Sequence, residues 1–137
     1  MARLRRAIIL DGHGGSSDPV LIVEDELFTR EIAMMMAEDW GYHPLSASDV
    51  PEALAIVRSP RHVGVLFTDI YLKDDVNGGC DLAREAVRLR PALRVLYTTG
   101  NAASNTLKEQ FVAGAQFISK PYSPDQLKSA LEDLIAH

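Results

Sequence analysis

Five short strand-like segments alternate with helix-forming segments along the chain, and this alternation limits the folds that it can adopt. The first segment, Val20–Val23, is a continuous apolar run, which is typical of a strand buried on both faces. The other four predicted strands cover residues 43–47, 63–68, 94–98 and 116–119. Five strand–helix units joined by right-handed crossovers predict an α/β fold with one doubly wound, five-stranded parallel sheet. We expect the strand order 2-1-3-4-5.

The predicted helices begin at capping residues and end near glycine or proline. The first covers residues 26–40 and has Leu27, Ile32, Met35 and Met36 as its apolar positions. The second, third and fifth cover about residues 50–59, 80–90 and 124–136. The fourth, residues 101–113, is polar and has weak helical character, so we expect a short or mobile helix there.

Composition excludes several classes of protein. The 137 residues suit one domain, and the net charge of −5 argues against direct DNA binding, which gains affinity mainly from neutralised phosphates. The single cysteine, Cys80, predicts no intrachain disulfide and a reduced, cytoplasmic setting, and we expect its side chain to be buried. No apolar run approaches the ~18 residues of a membrane span, and the first residues do not form an export signal.

The start of the chain differs in composition from the rest. Residues 12–17 are rich in glycine and serine, so we assign residues 1–18 to a flexible leader and residues 19–137 to the folded domain. The alternative is an additional strand, or an arm that contacts a partner, at Ala7–Leu10.

Polar side chains follow four of the predicted strands, at the point where each strand ends: Glu24 and Asp25, then Asp69, Thr99 and Lys120. The carboxyl ends of parallel strands share one edge of a sheet, so these residues are expected to converge. Three carboxylates suit Mg²⁺, with Asp25 and Asp69 as direct ligands and Glu24 acting through a water molecule. The hydroxyl and the ammonium suit a phosphoryl group. The pattern therefore predicts that Asp69 is a nucleophile that accepts phosphate.

Each of these residues also has an ordinary structural interpretation. An aspartate after a strand often caps the next helix, an acidic pair before a helix favours the helix dipole, and a Lys-Pro pair often forms a turn. The functional interpretation depends on all of them occurring together on successive strand ends.

The chain resembles the receiver domains of two-component response regulators over about residues 19–136. Four segments carry the resemblance: 20–26 (VLIVEDE), 66–70 (LFTDI), 97–100 (YTTG) and 119–122 (SKPY). The resemblance implies the flavodoxin-like receiver fold. It also implies a role for each matching position: Asp69 as phosphoacceptor, Glu24 and Asp25 as metal ligands together with the backbone carbonyl of Tyr71, Thr99 as switch hydroxyl, Lys120 as phosphate-binding lysine, Pro121 after an often cis peptide bond, and Phe117 as the aromatic switch residue.

The family resemblance also implies partners and a cofactor. We expect Asp69 to receive a phosphoryl group, with Mg²⁺ or Mn²⁺, from a sensor histidine kinase or a histidine phosphotransfer protein of a phosphorelay. A surface formed by the fourth helix, fifth strand and fifth helix would then change and signal to an unknown downstream protein. The same surface is a candidate interface for a homodimer. We expect no membrane contact, no output domain in this chain, and no enzymatic activity beyond its own phosphorylation and dephosphorylation.

Two other classes of protein share some of these features: enzymes with an aspartate-based metal centre, and scaffolds with a receiver fold. A phosphatase of the haloacid dehalogenase type also uses an aspartate nucleophile and Mg²⁺, but it needs a second aspartate two residues later, where this chain has Tyr71. A nuclease centre of the Toprim type fails for the same reason. The other alternative is a scaffold with a receiver fold that works without phosphate, against which the complete set of site residues argues.

Two segments depart from the pattern of the family. The loop after Asp69 lacks the common proline and is extended by residues 73–77. Tyr71 and Asn101 occupy positions that tune dephosphorylation in the family. Because Tyr71 is bulky, we expect it to alter the access of the attacking water.

Overall fold

Strands and helices alternate throughout the part of the chain that the computed structural model describes, residues 18–73, 75–101 and 103–136. The predicted leader and the alternative strand at Ala7–Leu10 fall in 1–18, of which only Asp18 is described. The elements are β1 (Pro19–Val23), α1 (Leu27–Asp39), β2 (His43–Ala47), α2 (Val50–Arg58), β3 (Val65–Asp69), α3 (Gly78–Leu89), β4 (Arg94–Thr99), α4 (Asn105–Lys108), β5 (Gln116–Ser119) and α5 (Pro124–Ala136).

The five strands form one sheet in the order β2-β1-β3-β4-β5, and each neighbouring pair is parallel. The predicted fold class and strand order are therefore confirmed. In this order the chain winds from β1 to β2 in one direction and from β3 to β5 in the other. The reversal lies between β1 and β3, so the residues that follow these two strands become neighbours.

Both faces of the sheet are buried, which explains the continuous apolar sequences of the central strands. Val20, Ile22 and Phe67 belong to a core with residues of α1 and α5. Alternate residues such as Leu21 and Leu66 belong to a second core with residues of α2 and α3. A one-residue slip of any central strand would exchange these two sets of side chains, so packing fixes the register.

The predicted caps hold two of the helices at their first turns. At α2, the Asp49 carboxylate accepts a hydrogen bond from Glu52 N at 2.9 Å. At α5, Ser123 and Gln126 form a reciprocal pair, with Gln126 N donating to Ser123 Oγ at 3.1 Å and Ser123 N donating to Gln126 Oε1 at 2.8 Å. These local signals explain why both starts were predictable.

The predicted apolar side of α1 is wrong. The residues that α1 buries are Ala33 and Ala37, one helical turn apart, because small side chains let the helix approach the sheet closely. Leu27, Ile32 and Met35 are instead 52%, 52% and 63% exposed, and Met36 is half-buried.

The fourth helix does not extend over the predicted range of residues 101–113. Its shortness agrees with the weak helical character of that sequence. The helix consists of the single turn α4, in which Ser104 Oγ accepts from Leu107 N at 3.0 Å and Leu107 is the buried residue. Phe111, which follows this turn, stacks on Tyr97 with ring centroids 4.2 Å apart. With one buried residue in the turn, a longer helix would have little apolar surface to bury.

Cys80 is buried, as predicted, and burial raises the pKa of its thiol. Among the described residues, none of the helices is both long enough and apolar enough to span a lipid bilayer.

Candidate functional site

The predicted site residues converge at the carboxyl edge of the sheet. Glu24 and Asp25 follow β1, and Asp69 is the last residue of β3. Thr99 is the last residue of β4, and Lys120 directly follows β5. Residues separated by 96 positions in sequence are thus held together by strand ends, whose parallel pairing leaves little freedom in their relative positions.

Lys120 connects Glu24 and Asp69, the two buried carboxylates in the described part of the chain. Its Nζ donates to Glu24 Oε1 at 2.6 Å and to Asp69 Oδ2 at 2.7 Å. Glu24 and Asp69 are only 5% and 7% exposed, so each charge needs a nearby partner. The Lys120 ammonium is that partner for both carboxylates, and its two hydrogen bonds hold them close together.

The pKa values of Glu24 and Lys120 reflect competition between burial and charge. Burial raises the pKa of Glu24, and the hydrogen bond from Lys120 only partly offsets it. Burial acts to lower the pKa of Lys120, but hydrogen bonds to Asp69 and Glu24 outweigh it and hold that pKa above its usual value. Lys120 therefore remains an ammonium at neutral pH, whereas burial disfavours the ionised form of Glu24.

Three carboxylates form a group that could hold a metal ion. One oxygen from each of Glu24, Asp25 and Asp69 lies within 4.8 Å of the others. Asp25 is half-buried, and its Oδ2 accepts from Lys73 N at 2.8 Å, so the loop after β3 fixes its direction. An all-oxygen donor set with an accessible side suits a hard divalent cation that keeps some of its waters.

The backbone beside Asp69 is held from both sides. Ile70 N donates to Thr98 O of β4, and Gly79 N donates to Ile70 O, both at 2.9 Å. Tyr71 N donates to Asp69 Oδ1 at 3.3 Å, so the residue predicted to give a backbone carbonyl to the metal also orients the carboxylate. These contacts turn the chain sharply after β3 and present the Asp69 side chain at the edge.

Thr99 and Phe117 lie on the side of the site next to α4. Thr99 is buried, and its Oγ1 accepts from Asn101 N at 3.3 Å. Phe117 is half-buried, with its ring centroid 6.0 Å from that of Phe111, which in turn stacks on Tyr97.

The peptide bond between Lys120 and Pro121 is cis, as the family resemblance implied.

Sequence reasoning missed two residues that position the site. Arg30 of α1 donates from its Nη1 to the backbone carbonyl of Glu24 at 2.8 Å, which fixes the chain after β1. Gly79 is the other, because a side chain there would collide with the backbone of Asp69 and Ile70. The Gly78-Gly79 pair at a helix start was a usable signal, whereas nothing in the sequence distinguished Arg30.

An open groove adjoins Lys120. It has a volume of about 470 Å³ and lies between α1 and the segment after β5. Its walls are partly apolar and include Ile32 and Met36 of α1. Phe28, which is 73% exposed, and Met35 lie on the same helix. An exposed apolar surface on α1 therefore borders the candidate site.

Comparison with known proteins points to one family. A sequence model of the response regulator receiver domain matches residues 20–132. The alginate biosynthesis transcriptional regulatory protein AlgB of Pseudomonas aeruginosa is 34% identical over 113 residues, which are 81% of this chain and 24% of that protein. The nitrogen assimilation regulatory protein NtrX of Azorhizobium caulinodans is 32% identical over 120 residues, 84% of this chain and 26% of that protein. The chain thus spans about a quarter of the length of these curated relatives.

A solved structure supports the same assignment. The non-phosphorylated HemR receiver domain from Leptospira biflexa matches with a TM-score of 0.77 and 27% sequence identity. The match covers 88% of this chain and 96% of that domain. The likeness therefore extends over nearly the whole described part of the chain.

Proposed function

The chain belongs to the response regulator receiver domain family of two-component systems, and from this premise we propose that Asp69 accepts a phosphoryl group from a phosphohistidine. The observation that carries the proposal is the pair of contacts from Lys120 Nζ to Asp69 and Glu24 at 2.7 and 2.6 Å. They put a cation beside a carboxylate at a strand end, next to two further carboxylates. Such a site neutralises an incoming phosphoryl group and holds the nucleophile in place.

The proposed reaction transfers a phosphoryl group from a histidine nitrogen of the donor to a carboxylate oxygen of Asp69. A carboxylate oxygen of Asp69 attacks the phosphorus atom, the bond between phosphorus and the histidine nitrogen breaks, and its electron pair returns to the imidazole. Lys120 then contacts a phosphoryl oxygen, and the Thr99 hydroxyl donates to another. Both contacts stabilise the charge that spreads over the phosphoryl oxygens in the transition state.

Glu24, Asp25 and Asp69, with the backbone carbonyl of Tyr71, are the residues that would hold Mg²⁺ or Mn²⁺. When bound, the cation supplies positive charge to the phosphoryl oxygens and offsets the repulsion between the carboxylates. The half-exposed Asp25 keeps one side of this group open to solvent and to the donor.

The phosphorylated state is proposed to change the surface formed by α4, β5 and α5. Movement of the Thr99 hydroxyl toward the phosphoryl group would release Asn101 N and open space beside Phe117. Phe117 packs near Phe111 rather than deep in the core, so its ring can move inward. This is a two-state element biased by a local change of charge. The altered surface then contacts a downstream protein or a second copy of the chain.

The groove between α1 and the segment after β5 supports a protein donor. A phosphohistidine must approach Asp69 from the open side of the site, and Lys120 lies on that side and lines the groove. Phe28, Ile32 and Met35 present an apolar stripe at intervals of four and three residues on α1. An amphipathic helix of a sensor kinase or phosphotransfer protein, carrying the phosphohistidine, fits this stripe.

The family is one of signalling domains rather than of conventional enzymes. The remaining chemistry of this chain is proposed to be its own phosphorylation and dephosphorylation. The curated relatives are named as transcriptional or nitrogen assimilation regulators, and the matched part is about a quarter of their length. A scaffold that works without phosphate is the remaining alternative, and the paired contacts of Lys120 argue against it.

The test is intact-mass spectrometry after incubation with acetyl phosphate and Mg²⁺. We expect one phosphoryl adduct on the wild-type chain, no adduct on Asp69→Asn, and loss of the adduct when a chelator removes the cation. The absence of an adduct on the wild-type chain, together with no binding of beryllofluoride, would contradict the proposal and favour the scaffold.

A further inference from the structure

A small cavity lies behind Asp69, on the side of the sheet covered by α1 and α5. Its volume is about 10 Å³, which is the space that the centre of a single water molecule requires. Asp69, Glu24 and Thr98 supply polar side chains to its wall. Thr29 and Tyr122 also line the neighbouring groove, so these two side chains lie between the cavity and the open side.

Thr98 is the residue that gives this cavity a polar character beyond the carboxylates. It is 2% exposed, and in the register of β3 and β4 it lies directly opposite Asp69. Its hydroxyl oxygen is buried and has no hydrogen-bond partner among the described residues. A buried hydroxyl of this kind is normally bonded, either to the protein or to an ordered water molecule.

Asp69 has the capacity to accept a further hydrogen bond. Its Oδ2 accepts from Lys120 Nζ and its Oδ1 from Tyr71 N, whereas an ionised carboxylate offers about four acceptor positions. A water molecule in the cavity would reach both the Thr98 hydroxyl and this carboxylate. The water would then have the two or more polar partners that an internal site needs.

We propose that the cavity binds one water molecule that bridges the Thr98 hydroxyl to the Asp69 carboxylate, and that Thr98 is a positioning residue for loss of the phosphoryl group. The second part rests on the proposed function of Asp69. In hydrolysis, a solvent water attacks phosphorus from the side opposite Asp69, the bond between phosphorus and the Asp69 oxygen breaks, and its electron pair returns to the carboxylate. The proton of the attacking water leaves with phosphate or solvent.

The bridging water is distinct from the attacking water, because the cavity lies on the buried side of the carboxylate. It donates a hydrogen bond to the group that gains negative charge as the bond breaks, so it stabilises that transition state more than the phosphorylated state. Thr98→Val keeps the shape of the side chain and removes the hydroxyl. We expect it to lengthen the lifetime of phosphorylated Asp69 by roughly two- to tenfold, the range of one net hydrogen bond.

The experiment combines crystal structures of the wild type and Thr98→Val with phosphoryl lifetimes after acetyl phosphate labelling. Thr98→Ser is the matched control, since it retains the hydroxyl and loses only a methyl group. We expect one ordered water within hydrogen-bond distance of Thr98 Oγ1 in the wild type and none in Thr98→Val. The lifetime should be longer in Thr98→Val and near the wild-type value in Thr98→Ser.

Two results would overturn the inference: no water at Thr98 in the wild-type crystal, or equal lifetimes in wild type and Thr98→Val. A wild-type chain that takes up no phosphoryl group would instead overturn the function proposed for Asp69. In that case the crystal structures alone still decide whether the water site exists. The two failures are therefore distinguishable.

Discussion

Gly79 lies so close to the backbone of Asp69 that a Cβ atom at residue 79 would overlap the Asp69 carbonyl oxygen. The same atom would lie 2.8 Å from Ile70 Cα, which is closer than side-chain atoms normally approach. Gly79 N also donates to Ile70 O at 2.9 Å. The first turn of α3 can therefore rest against the end of β3 only because it carries no side chain there.

Replacing Gly79 by alanine should destabilise the fold, although alanine is the better helix former by about 1 kcal/mol. The clash with backbone atoms cannot be relieved by a rotamer change, and overpacking of this kind costs about 1–3 kcal/mol. We expect the melting temperature to fall by roughly 3–12 °C in a thermal denaturation experiment. Gly100→Ala is the matched control, since a Cβ there meets no heavy atom within 4 Å. Equal melting temperatures for the two variants would show that the backbone at Asp69 yields freely.

Replacing Lys120 by methionine should leave Glu24 and Asp69 without their shared cation. We expect the variant to lose roughly 3–5 kcal/mol of stability without divalent ions, the usual cost of removing one partner of a buried ion pair. Mg²⁺ should then raise its melting temperature more than that of the wild type, because the cation gains more by neutralising an unpaired group. Lys128→Met, on the exposed side of α5, is the control. A smaller response to Mg²⁺ in Lys120→Met than in this control would contradict the expectation.

Most of the sheet and the position of the site followed from local sequence signals. Apolar runs predicted β1 and β3, and the alternation of strand and helix segments predicted the other three strands. The edge on which Glu24, Asp69 and Lys120 meet follows from parallel pairing once the strand order is known. The caps at Asp49 and Ser123 are local as well, since each bonds a residue three positions away. Such features depend on neighbours in sequence and can be predicted without the tertiary structure.

What could not be predicted depends on distances between elements. Whether α1 buries its leucine or its alanines is decided by how closely the helix approaches the sheet, and Ala33 and Ala37 permit the shorter distance. The contact of Arg30 with the Glu24 carbonyl and the space behind Thr98 arise from the same approach. Hydrophobic spacing within a single helix contains no information about this distance.

The stability of the fold should decrease at alkaline pH through Tyr97. Burial raises the pKa of Tyr97 to about 12, against an ordinary value of 10.0. Because the folded state favours the protonated phenol, this contribution is complete below pH 10 and is lost as the pH rises through 12. It amounts to about 3 kcal/mol.

Tyr97→Phe separates this contribution from that of other alkaline groups. At pH 9 the variant should be less stable than the wild type, because Val112 N loses the Tyr97 hydroxyl that it contacts at 3.1 Å. The difference should shrink or reverse by pH 11.5 in urea unfolding, since phenylalanine cannot ionise. A difference that stays constant between the two pH values would contradict the assignment.

Tyr71 should lengthen the life of the phosphorylated state. Its ring is half-buried, directly after the strand that ends in Asp69, and it packs against the core shared by α2 and α3. Removing the ring in Tyr71→Ala should let water approach the phosphoryl group and shorten the lifetime by several fold, whereas Tyr71→Phe should retain the wild-type value. The measurement is the decay of the phosphoryl adduct by mass spectrometry, and equal lifetimes for all three proteins would reject a role for the ring.

The exposed stripe on α1 should matter for a protein donor and not for a small one. Phe28 is 73% exposed, so Phe28→Ala should change the free energy of unfolding by less than about 0.5 kcal/mol. If a helix of the donor covers Phe28, its loss should slow transfer from a phosphohistidine protein by roughly tenfold or more, as expected of a buried aromatic contact. Phosphorylation by acetyl phosphate should keep the wild-type rate, because that donor makes no contact with α1.

Val76→Ala is the matched control, since Val76 is an exposed apolar residue in the loop after β3. Equal slowing with both donors would place the effect within the site itself and remove α1 from the docking surface.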